Sequence, residues 1–92
     1  MELQLKIRNP EGLHARPAGV FAKKAAEFQS NIQILAGGQL KSAKSIMALM
    51  SLGLKQDQEF TLIIDGPDAG LASRALAELV NSGFRIAADG SG

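Results

Sequence analysis

The chain contains a single histidine, His14, which stands directly before a segment beginning Ala15-Arg16-Pro17. Imidazole titrates near neutrality, so a large fraction of it is uncharged at pH 7 and offers a ring nitrogen as a nucleophile. At the start of a helix the first backbone N–H groups have no intrahelical partner, and the helix dipole favours negative charge. A phosphoryl group carried on this ring would therefore be stabilised where it forms.

The residues around the histidine suit the same chemistry. Arg16 adds a permanent cation whose N–H groups match phosphate oxygens, and Gly12 lets the preceding loop approach closely without a side chain. Pro17 costs no hydrogen bond in the first helical turn. No second nucleophile, general base or metal-binding cluster is near in the sequence, which indicates transfer rather than turnover. A lone histidine at a helix start is also often only a capping or surface residue, and the spacing alone does not decide between the two.

Composition narrows the classes of function. The chain has 92 residues, 46% of them hydrophobic, with a net charge of +1, which predicts one domain with a single thin core. The lack of cysteine excludes disulfides and cysteine-ligated zinc, and one histidine excludes a histidine-pair metal site. No apolar stretch approaches the ~20 residues of a membrane span. The small charge, without Trp or Tyr, gives little support for nucleic-acid binding. We expect a soluble, cytoplasmic domain, since Met1 leads straight into a strand with no signal peptide.

Hydrophobic periodicity predicts the element order βαββαβα. Alternating apolar residues indicate strands at 3–7, 31–34, 40–41 and 60–64, and Gly37-Gly38 indicates a hairpin between the second and third. Helices are expected from 15 to about 28, from 46 to 52, and from about 68 until Ser82-Gly83. Ser45 or Ser42 could cap the middle helix, and Gly53 suits the position after its end.

The two longer predicted helices each have one apolar stripe. The first stripe comprises Ala18, Phe21, Ala22, Ala25 and Phe28, and the last comprises Leu71, Ala75, Leu76, Leu79 and Val80. Helices that are apolar on one side only predict an α+β fold, a two-layer open-faced β-sandwich. Four antiparallel strands would carry three helices on one face, with the first and fourth strands central or adjacent. We expect a domain over residues 1–84 and a tail or linker stub over residues 85–92.

Two stretches of the chain resemble the HPr family, the histidine-containing phosphocarriers of the bacterial phosphoenolpyruvate–sugar phosphotransferase system. The string Gly12-Leu13-His14-Ala15-Arg16-Pro17-Ala18 closely resembles the phosphorylation site of that family. The segment from Ala43 to Gly53 is similar to the family's regulatory serine and the short helix after it. The separation of the two motifs and the element order also match over about residues 2–84.

The resemblance implies a role for each residue of the first motif. His14 would accept a phosphoryl group on Nδ1 from phosphorylated enzyme I and donate it to enzyme IIA domains, with Arg16 as the active-site arginine. The chain would act as a carrier rather than an enzyme, as a monomer, without cofactor or metal. Support for the phosphate is expected from Gly12, Ala15, Pro17 and Ala18.

The second motif implies regulation and docking. Ser45 matches the serine that an ATP-dependent HPr kinase/phosphorylase modifies in Gram-positive relatives, where the modified protein recruits a transcription regulator; it could equally be a plain helix cap. Ile46, Met47 and Met50 exceed what one side of a short helix can bury, so we expect a partner-docking patch beside His14. Lys23 and Lys24 could steer an acidic partner or simply form a solvated face.

Other readings remain open from the sequence. Ala48 replaces a glycine common in the family, and the tail ending in Gly-Ser-Gly is longer than usual. The chain could be the HPr domain of a multidomain phosphotransferase, or a nitrogen-branch paralogue, which the segment from Asn81 to Phe84 resembles. A regulatory binding module acting through phosphorylated Ser45 is a third reading. A small acylphosphatase-like hydrolase is a fourth, although no group near His14 is evident that would orient water.

Overall fold

The computed structural model describes residues 1–84, which form a four-stranded sheet and three helices. The predicted order βαββαβα is confirmed: β1 (Glu2–Lys6), α1 (Ala15–Ala26), β2 (Asn31–Ala36), β3 (Gln39–Ser42), α2 (Ile46–Ser51), β4 (Glu59–Asp65) and α3 (Ala69–Asn81). The predicted tail over residues 85–92 lies outside the described residues. Within the described range no helix is long and apolar enough to cross a membrane.

The sheet is antiparallel throughout, with the strand order β1-β4-β2-β3. The first and fourth strands are adjacent as predicted. Of these two, β4 is an inner strand and β1 is an edge strand. The predicted hairpin joins β2 to β3, and Gly37 and Gly38 at its turn both have positive φ, 56° and 77°. Consecutive positive φ values are those of a tight hairpin turn that suits the twist of the strands.

Alternation along the strands places one set of side chains beneath the helices. In β2 and β4 the residues Ile32, Ile34, Leu62 and Ile64 are almost completely buried. Their neighbours in the sequence, such as Gln33 and Thr61, are less buried and point to the opposite face, because successive side chains of a strand alternate. The fold is therefore the open-faced sandwich expected from the sequence.

Helix α1 covers the sheet with the predicted stripe, in which Ala18, Phe21, Ala22 and Ala25 are buried, and it ends at Ala26, slightly before the expected Phe28. Helix α3 differs from the prediction in its first turn: Leu71 is 65% exposed, whereas Ala72 is fully buried. The buried stripe thus runs through Ala72, because this residue lies one turn before Leu76 on the same face.

The end of α3 closes the core. Gly83 has a φ of 76° and donates to the carbonyl of Val80, and Phe84 donates to the carbonyl of Leu79 at 2.8 Å. This pair of bonds is the Schellman arrangement that terminates helices at a left-handed glycine. It turns the Phe84 ring into the core, edge-on to the ring of Phe21 with centroids 6.1 Å apart.

Candidate functional site

His14 is the N-cap residue of α1. Its backbone is extended, with φ −84° and ψ −169°, and its carbonyl accepts the first helical hydrogen bond from Ala18 N–H at 2.8 Å. The imidazole makes no capping hydrogen bond and is exposed to solvent. The alternative in which the ring only caps the helix is therefore disfavoured, and the ring is accessible to a reaction partner.

The first turn of α1 leaves hydrogen-bond donors free beside this ring. Within residues 1–84, the backbone N–H groups of Ala15 and Arg16 have no hydrogen-bond partner, and Pro17 has no N–H to satisfy. The expected contribution of Ala18 needs a correction. Its N–H is already bonded to the carbonyl of His14, so it is not available to a phosphate and contributes only through the helix dipole.

Gly12 brings the loop before the helix against the segment that follows α2. A Cβ atom at this position would lie 2.5 Å from the carbonyl oxygen of Leu54, and the φ of Gly12 is 71°. The backbone N–H of Gly12 donates to the carbonyl of Asn9 at 3.1 Å. Glycine is thus required here for close approach and for its conformation, as the sequence predicts, and not as a donor to the phosphate.

Arg16 is held by a carboxylate that the sequence analysis did not identify. Its Nη2 donates to Oε2 of Glu11 at 3.1 Å, and Oε1 of Glu11 accepts from Nδ2 of Asn9 at 2.9 Å. The amide of Asn9 is buried and also donates to the carbonyl of Gly12 at 2.8 Å. Chiefly because of the hydrogen bond from Asn9, and also because of Arg16, the pKa of Glu11 is lowered from 4.5 to about 2. The carboxylate is therefore charged at neutral pH.

Glu11 was not predicted as a site residue because it lies in the segment Asn9-Pro10-Glu11-Gly12. The composition of this segment predicts a turn and nothing about the role of its carboxylate. No helical or strand period relates it to Arg16. The signal that could have identified it is a carboxylate within a few residues of an exposed functional arginine, on the other side of a sharp turn.

Ser45 occupies the N-cap of α2, which decides between the two candidate serines. Its Oγ accepts a hydrogen bond from the backbone N–H of Ala48 at 3.2 Å, and its backbone is extended. Ser42 is the last residue of β3, and its Oγ accepts from the N–H of Lys44. Gly53 follows the C-cap of α2 with a φ of 61°, as predicted. Ser45 therefore has the structural role of a cap, whichever further role it has.

The three apolar residues expected to form a docking patch lie on the solvent side of α2. Met47 is 82% exposed, and Ile46 and Met50 are also exposed, whereas Leu49 is fully buried. Helix α2 packs against α1, with Cδ1 of Ile46 lying 3.9 Å from the point where a Cβ of Gly19 would be. The patch formed by Ile46, Met47 and Met50 thus adjoins α1 through Ile46.

Lys23 and Lys24 lie on the other side of α1, in a groove of about 960 Å³ between α1 and α3 that reaches Ala15 and Arg16. Lys24 pairs with Oε1 of Glu27 at 3.3 Å. Within the described residues Lys23 has no such ion pair.

Comparisons with known proteins identify the family that the chain resembles. Residues 1–82 match a family model described as the PTS HPr component phosphorylation site. The chain is similar to the phosphocarrier protein HPr of Mycoplasma capricolum, with 44% identity over 78% of this chain and 81% of the relative. It is also similar to the multiphosphoryl transfer protein of Vibrio cholerae, with 41% identity over 86% of this chain, which spans only 20% of that relative.

A solved structure has the same fold. The crystal structure of HPr-C-His from Thermoanaerobacter tengcongensis superimposes with a TM-score of 0.88 and 40% identity, covering 91% of this chain and 94% of the other. The family match over residues 1–82 spans β1 to α3 and therefore includes His14, Arg16 and Ser45.

Proposed function

The chain belongs to the HPr phosphocarrier family, and from that premise we propose that His14 accepts a phosphoryl group from phosphorylated enzyme I and donates it to enzyme IIA domains during sugar uptake. The observation that carries this proposal is the exposed imidazole at the N-cap of α1, beside the free N–H groups of Ala15 and Arg16. The carrier works in the cytoplasm as a monomer, without a cofactor of its own.

The transfer step follows from the chemistry of the ring. The lone pair of Nδ1 of His14 attacks phosphorus, and the bond from phosphorus to the donor atom breaks with its electron pair going to the donor. The phosphoryl group arrives with its negative charges at the positive end of the helix dipole, where the two free N–H groups and the guanidinium of Arg16 can contact it. Donation to the next protein is the same displacement in reverse. The carrier itself turns over no small molecule.

The patch of Ile46, Met47 and Met50 serves as the docking surface for these proteins. Exposed apolar side chains next to a reactive group mark a partner surface, and flexible methionines adapt to partners of different shape. Ser45 stands at the edge of this patch. A phosphate on its Oγ would meet the positive end of α2 and place charge against an apolar contact, which is the physical basis for regulation by an HPr kinase/phosphorylase and for recruitment of a transcription regulator.

The phosphocarrier is tested by incubating the chain with phosphoenolpyruvate and enzyme I and analysing the product by mass spectrometry. We expect one acid-labile phosphate, which disappears in His14→Ala and persists in Ser45→Ala. A native chain that takes up no phosphate under conditions that label a known HPr would refute the proposal. Steady turnover of acetyl phosphate by the isolated chain would instead support the hydrolase.

A second role is favoured by one finding. The chain is similar to a segment that makes up 20% of the length of the Vibrio cholerae multiphosphoryl transfer protein. It could therefore function as the HPr domain of a multidomain phosphotransferase. The chemistry at His14 is the same in both cases. Western blotting of the native protein in its cells separates them, since a free carrier migrates near 10 kDa and a fused domain at several times that mass.

A further inference from the structure

The carboxylate of Glu11 occupies the position of a counter-ion in a site that is built to receive an anion. Oε2 of Glu11 accepts from the Arg16 guanidinium at 3.1 Å. The pair is partly exposed, with side-chain accessibilities of 59% for Arg16 and 45% for Glu11, so solvent and an incoming phosphoryl group can reach it. An arginine that binds a phosphoryl group and also binds a carboxylate must divide its donors between the two.

Glu11 is held in place by the interior of the protein rather than by Arg16 alone. Asn9 is only 4% exposed, and its Nδ2 donates to Glu11 and to the carbonyl of Gly12. This orientation leaves Oδ1 of Asn9 buried with no partner among the described residues. Unpaired buried acceptors are rare in folded proteins. The amide of Asn9 takes this orientation because its Nδ2 then donates to both Oε1 of Glu11 and the carbonyl of Gly12. The carboxylate is consequently oriented by a buried side chain as well as by Arg16.

We propose that Glu11 is the resting counter-ion of Arg16, and that the phosphoryl group on His14 displaces it from the guanidinium. This inference rests on the proposed phosphocarrier function. Glu11 is a positioning residue: before transfer it holds Arg16 at the mouth of the site, and after transfer its negative charge remains anchored by Asn9 close to a second anion.

The consequence is a less stable phosphohistidine. Because the carboxylate competes for Arg16 and repels the phosphoryl group, it disfavours the phosphorylated state relative to the unphosphorylated one. A carrier must release its phosphoryl group as readily as it accepts it, and a carboxylate oriented in this way shifts the balance toward release. Partly exposed charge pairs contribute little, so we expect an effect of about two- to fivefold on the phosphorylation equilibrium.

The test compares Glu11→Gln with the wild-type chain at equilibrium. Glutamine keeps the length of the side chain and an oxygen that accepts from Asn9, but removes the charge. With catalytic enzyme I and a fixed ratio of phosphoenolpyruvate to pyruvate, the ratio of phosphorylated to free carrier should rise about two- to fivefold. Because this ratio does not depend on the rate of docking, a change reports the stability of the phosphohistidine. Glu27→Gln, which neutralises the carboxylate paired with Lys24, is the matched control and should leave the ratio unchanged.

A double-mutant cycle tests whether the effect operates through Arg16. In an Arg16→Gln background, Glu11→Gln should change the ratio less than in the wild-type background, since there is no longer a guanidinium to release and only the repulsion between the two anions remains. The ¹⁵N resonances of the Arg16 guanidinium should also shift on phosphorylation of the wild-type chain. An undiminished effect in the Arg16→Gln background would overturn displacement as the mechanism.

The outcomes separate the two proposals. If the wild-type chain is phosphorylated on His14 but Glu11→Gln gives the wild-type ratio, Glu11 only braces the loop and this inference is wrong, while the phosphocarrier stands. If the wild-type chain accepts no phosphoryl group at all, the proposed function itself fails.

Discussion

The backbone N–H of Leu13 donates a hydrogen bond of 2.9 Å to the carbonyl oxygen of Leu54. This bond ties the residue before His14 to the segment that follows α2. The position of the His14 backbone therefore depends on the segment after α2 as well as on α1, and this segment links the histidine to the helix that carries Ile46, Met47 and Met50.

Gly12→Ala tests this connection. A methyl group at position 12 would meet the same oxygen of Leu54 at 2.5 Å, in a left-handed conformation that costs a non-glycine residue about 1–2 kcal/mol. We expect chemical denaturation to show a loss of stability beyond that value. Gly53→Ala is the matched control, because its φ is also positive but nothing lies within 4 Å of the new Cβ. Equal losses in the two variants would contradict the role of the close approach.

Arg16→Ala should slow phosphoryl transfer from enzyme I by about 10- to 100-fold, the range expected for one charge-assisted hydrogen bond in the transition state. The side chain is largely exposed, so the thermal unfolding curve should barely change. Rapid-quench measurement of phosphohistidine formation gives the rate. A wild-type rate in this variant would rule out Arg16 as a contributor to transfer.

Two substitutions of Ser45 separate its contribution to helix capping from its contribution to partner binding. Ser45→Ala removes the acceptor for Ala48 N–H and should cost about 1 kcal/mol of stability. Ser45→Asp keeps a capping oxygen but places a negative charge beside the apolar patch, so it should unfold like the wild type and bind enzyme I more weakly. Calorimetric titration with enzyme I checks this. Unchanged affinity for Ser45→Asp would show that Ser45 lies outside the interface.

Met47→Ala should weaken the binding of enzyme I about fivefold, a typical value for truncating a contributing interface residue. Stability should be unaffected, because the side chain is 82% exposed. Leu71→Ala provides the control: Leu71 is another exposed apolar side chain, 65% accessible, but it lies on α3. If both variants weaken binding equally, the patch on α2 has no special part in docking.

Acid should weaken the junction between β2 and α3. The hydroxyl and backbone N–H of Ser30 and the backbone N–H of Gln29 all donate to the carboxylate of Asp68. These bonds, the Ser30 hydroxyl first, lower the pKa of Asp68 below its ordinary value of 3.8. Since the unfolded chain then binds the proton more readily, the stabilisation is present above that value and is lost as the pH falls through the lower, folded-state pKa.

The comparison of the wild-type chain with Asp68→Asn checks this pH dependence. At neutral pH the wild-type chain should have the higher free energy of unfolding, and the difference should shrink as the pH falls below 3.8. Asp65→Asn alters an exposed carboxylate at the end of β4 and serves as the control. A difference that stays constant down to pH 2 would show that the charge of Asp68 contributes nothing.

Local signals predicted most of the fold. Gly53 was predicted to follow the end of α2, and the cap at its start was narrowed to Ser45 or Ser42, because capping depends on residues adjacent in the chain. The hairpin at Gly37-Gly38 and the site of His14 are local in the same sense. Each of these features depends on the conformational preferences of a few neighbouring residues and not on distant packing.

The features that the sequence did not predict depend on distant packing. Helical periodicity placed Leu71 in the apolar stripe of α3, but the rotation of the helix against the sheet buries Ala72 instead and leaves Leu71 exposed. The bond from Arg16 to Glu11 depends on the turn that brings the loop back against Leu54. The sequence indicates the turn itself, but neither the rotation of α3 nor the contact between Glu11 and Arg16 follows from residue spacing.

The ring of Phe84 has a consequence for how this unit can be excised. Sequence similarity to the family model stops at residue 82, yet Phe84 is 1% exposed and contacts Phe21 in the middle of α1. A boundary drawn where the similarity ends would remove the Phe84 ring and expose the core residues that it covers, among them Phe21. We therefore expect that a unit able to fold must extend through Phe84, and that a fusion partner is best attached beyond it.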